Sequence, residues 1–213
     1  MSDVATRQQE QWRELLEQPL KFVRAEHLAG CFPEALSAGQ LVAFRDAPRF
    51  QERSLRLLMS RFNLQPLAAA PAPDAPDLPV LLLTPDSFRR LPRLCGAIWH
   101  GATLSREIRS DVVSQVRQLL GNDVFSLALA NRPLAGAADL LRQPAELLQA
   151  IDRDGAACIS AWLHAQSPAL RGWLRLRFDD PAMQDGQDGN GSLDVKIIRR
   201  AAATLAEPVE ELA

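Results

Sequence analysis

The segment Leu94-Cys95-Gly96-Ala97-Ile98-Trp99-His100-Gly101-Ala102-Thr103-Leu104 constrains this chain most, because it is largely apolar, free of Asp, Glu, Lys and Arg, and carries two glycines. Each glycine inside a helix costs about 1 kcal/mol relative to alanine, so a helix that holds two is expected to use them for close approach of another backbone. Close helix packing at Gly96 and Gly101 is the first expectation. The run leads into a pattern in which Leu104, Ile108, Val112, Val116, Leu119 and Leu120 share one face, while Arg106, Glu107, Arg109, Asp111, Gln115 and Arg117 share the other. A helix that buries the first set and offers the second to solvent is predicted. Gly121-Asn122 suits a left-handed cap, and Asn122-Asp123 can cap a following helix over Val124 to Ala130, before Pro133.

The rest of the chain also reads as helix. Arg7 to Gln18 forms a polar helix with Trp12, Leu15 and Leu16 inward, ended by Pro19. Short helices are expected at Ala25 to Ala29, Pro33 to Leu36 and Gln40 to Ala47, then a longer one over Pro48 to Phe62 with the stripe Phe50, Leu55, Leu58, Met59 and Phe62. Residues 67–79 hold Pro71, Pro73, Pro76 and Pro79 among Ala and Asp, which predicts an extended, mobile linker. Thr84 and Pro85 then start the larger remainder as N-cap and first helical residue. Pro144 to Ala165 is one long core helix or two abutting ones, with Gly155 near its centre. Ser167-Pro168 restarts a helix, but Leu174-Arg175-Leu176-Arg177-Phe178 alternates and also fits a short strand. A last helix over Leu193 to Leu205 places Ile197, Ile198, Ala201 and Leu205 inward. The expected fold is therefore all-α, with irregular, orthogonally packed helices. Its parts are an N-terminal helical subdomain over 1–66, a linker over 67–79, a main domain over 80–206 with a flexible loop at 180–192, and an acidic tail over 207–213.

Gly96 to Thr103 has the glycine spacing of a phosphate-binding loop, yet Ala102 stands where that loop needs its lysine and Trp99 would fill the cradle. His27 with Cys31, Cys95 with His100, and Cys158 with His164 evoke zinc, but each pair sits in an apolar helical pattern and not in paired knuckles, so buried side chains are expected and no metal. Asp185, Asp188 and Asn190 do not fit the register of a calcium loop. No Gly-x-Ser-x-Gly or His-Glu-x-x-His occurs, and the chain has no Tyr, so neither catalytic residues nor a cofactor are expected, and nucleic-acid binding loses support.

Charge is split along the chain. Residues 1–132 carry 16 basic and 14 acidic side chains, and residues 133–213 carry 8 and 12, so neither part is an evident polyanion binder. Twenty-two of the 24 basic residues are Arg, which codon usage explains more simply than function does. The polar opening Met1-Ser2-Asp3 is unlike a signal peptide, no run reaches the roughly 20 apolar residues of a membrane span, and the three scattered cysteines fit reduced thiols. A cytoplasmic protein, monomeric in isolation and not inserted in the membrane, is expected. Arg106, Arg109 and Arg117 on the predicted helix face, and Asp179 and Asp180 in the acidic part, are the candidate partner-binding residues.

The lead-in Leu94-Cys95-Gly96, Trp99-His100-Gly101 and the helix to Leu120 resemble the SctK family (YscK- and PscK-like) of bacterial type III secretion. So do Ala161-Trp162-Leu163, Ser167-Pro168, Gly172-Trp173-Leu174-Arg175-Leu176-Arg177 and, upstream, Leu20-Lys21-Phe22-Val23-Arg24-Ala25-Glu26-His27-Leu28. The resemblance spans most of the chain as loose apolar patterns. It implies a non-enzymatic sorting-platform adaptor on the cytoplasmic side of the injectisome. Such an adaptor links the forkhead-associated-like cytosolic domain of the inner-membrane ring protein SctD to the pod protein SctQ, with SctL and the export ATPase in the wider complex. A secretion chaperone or another helical regulator is the alternative, separable by whether it binds an unfolded effector.

Overall fold

Helix is the sole regular structure among the described residues of the computed structural model, which are 2–32, 34–137, 143–177 and 191–206. The α-helices, in order, are α1 (Ser2–Glu17), α2 (Ala38–Asp46), α3 (Gln51–Phe62), α4 (Leu78–Leu81), α5 (Pro85–Trp99) and α6 (Gly101–Arg106). They continue as α7 (Ser110–Leu120), α8 (Asn122–Ala130), α9 (Pro144–Ala165), α10 (Pro168–Arg175) and α11 (Gly191–Ala206). Short 3-10 turns join several of them. No described residue lies in a strand, so the fold is all-α as the periodicity predicts.

The chain divides into two compact units, Met1–Pro85 with Gln166–Pro181, and Asp86–Ala165 with Ala182–Ala213. The division does not fall at the proline-rich stretch. Residues 67–79 were expected as an extended linker, but they form 3-10 turns at Leu67–Ala69 and Ala75–Asp77, and Leu67, Asp77 and Leu78 are buried in the first unit. Leu67, Leu78, Val80 and Leu81 bring enough apolar surface to hold these turns against α1 and α10, which offsets the ordering entropy of the chain.

In the first unit, Trp12, Leu20, Phe22, Leu28, Leu58, Leu170, Trp173 and Leu174 build the core. Ser37 starts α2 through a full capping box with Gln40, which leaves residues 34–37 non-helical where a short helix over Pro33 to Leu36 was expected. Asn63 ends α3 in the left-handed conformation, at φ 49°. The alternation at 174–178 does not make a strand: Leu174 and Arg175 end α10, because Ser167 caps it and Leu170, Trp173 and Leu174 bury at helical spacing. Residues 176–177 form a turn, and Phe178 lies outside the described residues. Trp173 Nε1 donates to the Gln65 carbonyl at 2.7 Å. Arg177 is wholly inside, with its guanidinium donating to the Leu81 carbonyl at 2.7 Å and to the Leu83 carbonyl, and stacking 4.5 Å from the Phe22 ring centre. Burial lowers its pKa to about 10.

In the second unit the glycines act as expected. A Cβ on Gly96 would run into the Ile151 carbonyl oxygen and lie 3.1 Å from Gly155 N, and a Cβ on Gly155 would run into the Pro92 carbonyl oxygen and lie 2.9 Å from Gly96 N. Helices α5 and α9 thus cross backbone to backbone, glycine facing glycine, in opposite chain directions. A Cβ on Gly101 would sit 2.6 Å from the Ala128 carbonyl oxygen, so α6 meets α8 in the same manner. Helix α9 is one continuous helix that buries Leu147, Ile151, Cys158, Ile159, Trp162 and Leu163, and α11 packs on it through Ile197, Ile198 and Ala201.

The predicted single face running from Leu104 to Leu120 does not form. The chain leaves helix at Glu107 and re-enters at Ser110, with Glu107 and Arg109 both extended at ψ 120° and 116°. Val112, Val116 and Leu120 are buried, but Ile108 is 91% exposed and Leu119 45%. Gly121 then turns the chain at φ +92°, and α8 follows without a side-chain cap from Asn122 or Asp123.

Candidate interaction surface

The break between α6 and α7 is held by one carboxylate. Glu107 Oε1 accepts the Arg109 backbone N–H at 2.9 Å and Arg109 Nε at 2.9 Å, and Oε2 accepts Nη2 at 2.8 Å. The Ile108 backbone N–H also acts on this carboxylate, and the four interactions, led by the Arg109 side chain and then its backbone, lower the Glu107 pKa from 4.5 to about 2. The clasp explains why the apolar pattern fails here. A side chain that satisfies backbone donors locally competes with the helix, and the tripeptide 107–109 bends so that Ile108 points to solvent.

Arg106 closes α6 and Arg109 precedes α7, so two exposed arginines bracket the exposed Ile108. Arg117 is not part of that cluster. It lies eight residues farther on, roughly 12 Å along the helix axis, with its guanidinium 4.8 Å from the Phe125 ring centre. Beside it, Leu119 edges a shallow apolar groove lined by Val116, Leu120, Pro144, Leu147 and Ile151. The structure therefore brings together Arg106 and Arg109 and adds Ile108, which the sequence pattern had placed inside. Asp179 and Asp180, like Asp185, Asp188 and Asn190, lie outside the described residues.

The histidines and cysteines have structural surroundings. His100 is fully buried at the α5–α6 junction, with Nε2 2.8 Å from Asp154 Oδ2 on α9. Burial acts to raise the Asp154 pKa, but hydrogen bonds from Arg153 and His100 outweigh it and hold the carboxyl below its usual range. His164 Nδ1 lies 2.8 Å from the Ser160 carbonyl of its own helix, and His27 meets the Phe62 ring edge-on at 5.7 Å. Cys95 and Cys158 are buried, and burial raises the Cys31 pKa. Among the described residues, no three His, Cys, Asp or Glu side chains gather where a metal could be held, and no helix is long and apolar enough to cross a membrane.

The chain is similar to nodulation protein NolU. The identity is 28% over 168 residues, covering 78% of this chain and 75% of NolU, for both the Rhizobium fredii and the Sinorhizobium fredii (strain NBRC 101917 / NGR234) proteins. No family model matches the chain, and no solved structure matches it significantly. The aligned stretch is longer than either compact unit, so the similarity to NolU takes in residues of both.

Proposed function

We propose that this protein is a non-enzymatic adaptor of a type III secretion injectisome, working on the cytoplasmic side of the inner membrane as a member of the sorting platform. In this reading it links the cytosolic domain of the ring protein SctD to the pod protein SctQ, with SctL and the export ATPase in the wider complex. The reading is carried by the SctK-like residue pattern from Leu20 to Arg177, and the similarity to a rhizobial nodulation protein over 78% of the length supports it at the coarser level. Three features of the molecule support a binding role. The fold is all-α, it has two compact units that can offer separate surfaces, and it holds a large apolar side chain outward between two arginines. The mechanism is placement of partners, without chemistry.

A tagged copy purified from the native bacterium tests this. The adaptor reading expects SctQ, SctL and the export ATPase to co-purify, and the SctD cytosolic domain to bind the purified chain directly. Recovery of a single effector, held unfolded, would instead identify a secretion chaperone.

A further inference from the structure

We propose that the outer side of helix α11, together with Arg132, is a docking surface for a carboxylate-rich segment of a partner protein. Ile197, Ile198, Ala201 and Ala202 are fully buried and fix which side of α11 faces the rest of the second unit. At about 100° per residue, Lys196, Arg199 and Arg200 fall on the opposite side, within about one turn of one another. Lys196 and Arg200 are exposed. Like charges three and four residues apart repel, and a helix side that is merely solvated usually mixes signs.

Arg200 is held in place without being neutralised. Its Nε donates to Asn131 Oδ1 at 2.9 Å, and the buried Asn131 is itself fixed, its Nδ2 donating to the Leu127 carbonyl at 2.8 Å. A neutral acceptor orients the guanidinium and leaves its charge and its Nη donors for another group. Arg132 follows Asn131 directly, is exposed, and opens the short turn Arg132–Leu134 against which α11 lies. Asn131 thus joins two parts of one basic surface, with Arg132 on one flank and Arg200 and Lys196 on the other.

Charge selects the occupant. Among the described residues no carboxylate pairs with Arg132, Lys196 or Arg200, while elsewhere in this unit Arg89, Arg90, Arg93, Arg109 and Arg153 each lie against one. An arginine ordered in advance loses less entropy when a carboxylate arrives, and its planar fork matches a carboxylate through two parallel hydrogen bonds. Toward the C-terminal end of α11 the outer side continues as Ala203 and Thr204, with no large apolar side chain to enter a bilayer. A long polyanion would meet a chain of net charge −2, whereas a short acidic protein segment meets only the local cations. The surface is built wholly from the second unit and stands without the secretion reading.

The test is photo-crosslinking from a benzoylphenylalanine placed at Thr204, which is exposed and one turn beyond Arg200, in the full-length chain in its native bacterium, with sequencing of the linked peptide. The expected result is a segment of another protein in which several Asp or Glu side chains lie close together. A synthetic copy of that segment should bind the purified chain, and Lys196→Glu and Arg200→Glu should each weaken binding on the order of tenfold, with further loss at high salt. Lys196→Glu puts a carboxylate one turn ahead of Arg200, a spacing that favours helix, so the melting temperature of this variant should match or exceed that of the parent while binding falls. Crosslinks confined to this chain, within one copy or to a second, a linked segment without acidic side chains, absence of any crosslink, binding indifferent to either substitution, or capture of the purified chain by phosphatidylglycerol vesicles through the same two residues would overturn the assignment.

Discussion

Replacing Gly96 by alanine is the sharpest test of how the second unit is built. The added methyl would run into the Ile151 carbonyl oxygen and lie 3.1 Å from Gly155 N, and both are backbone atoms of α9 that no rotamer change can move. Helix propensity favours alanine by about 1 kcal/mol. Overpacking against a fixed backbone costs roughly 3 kcal/mol or more, so a net loss of about 2 kcal/mol or more remains, worth roughly 4–8 °C in Tm for a chain of this size. Gly39→Ala is the matched control. It sits in the first turn of α2 with nothing within 4 Å of the new Cβ, so propensity acts alone and stability should rise by up to about 1 kcal/mol. Urea unfolding, followed by circular dichroism and by tryptophan fluorescence, measures both variants. Gly96→Ala with Gly155→Ala should destabilise by less than the sum of the single changes, since one separation of the helices relieves both clashes. Gly96→Ala as stable as the parent, or Gly39→Ala less stable than Gly96→Ala, would refute the crossing.

Other outcomes follow from the side chains. Arg177→Ala should cost about 2–4 kcal/mol, because it strands the Leu81 and Leu83 carbonyls and uncovers Phe22, and Arg177→Lys should recover part of that by reaching one carbonyl; the same unfolding curves report it. Glu107, whose carboxyl is held at about 2 in the folded chain against 4.5 when free, contributes stability that is complete above pH 4.5 and is lost as pH falls toward 2. The stability gap between parent and Glu107→Gln should therefore narrow over that window, and a gap unchanged down to pH 2 would show that the clasp is not ionic. Ile108→Ser should shift stability by under about 0.5 kcal/mol, yet it should reduce recovery of partners in the pull-down if the joint is a contact surface.

Much of this molecule is legible in its residues one segment at a time. The 3.6-residue spacing marks α3, α7, α9 and α11, Ser167-Pro168 marks the start of α10, and Gly96 and Gly101 mark places where a backbone comes close. These readings succeed because each depends on neighbours within a turn or two of helix. Where they fail, a longer-range or side-chain interaction outweighed the local pattern. Ile108 carries the right spacing to be buried, but the Glu107 carboxylate bonds the next backbone amides and bends the chain outward. The proline-rich stretch reads as a spacer, but Leu67 and Leu78 find apolar partners from distant helices.

Helix content, the placing of glycines within apolar helical runs and the want of a recognisable catalytic pattern are properties of the sequence by itself, since propensity and residue chemistry act locally. Only the tertiary structure decided which backbone meets Gly96, that α10 joins the N-terminal helices, and that Ile108 and Val42 face water. The physical reason is that periodicity tells which residues share a side of a helix, whereas burial of that side depends on surfaces that arrive from elsewhere in the chain.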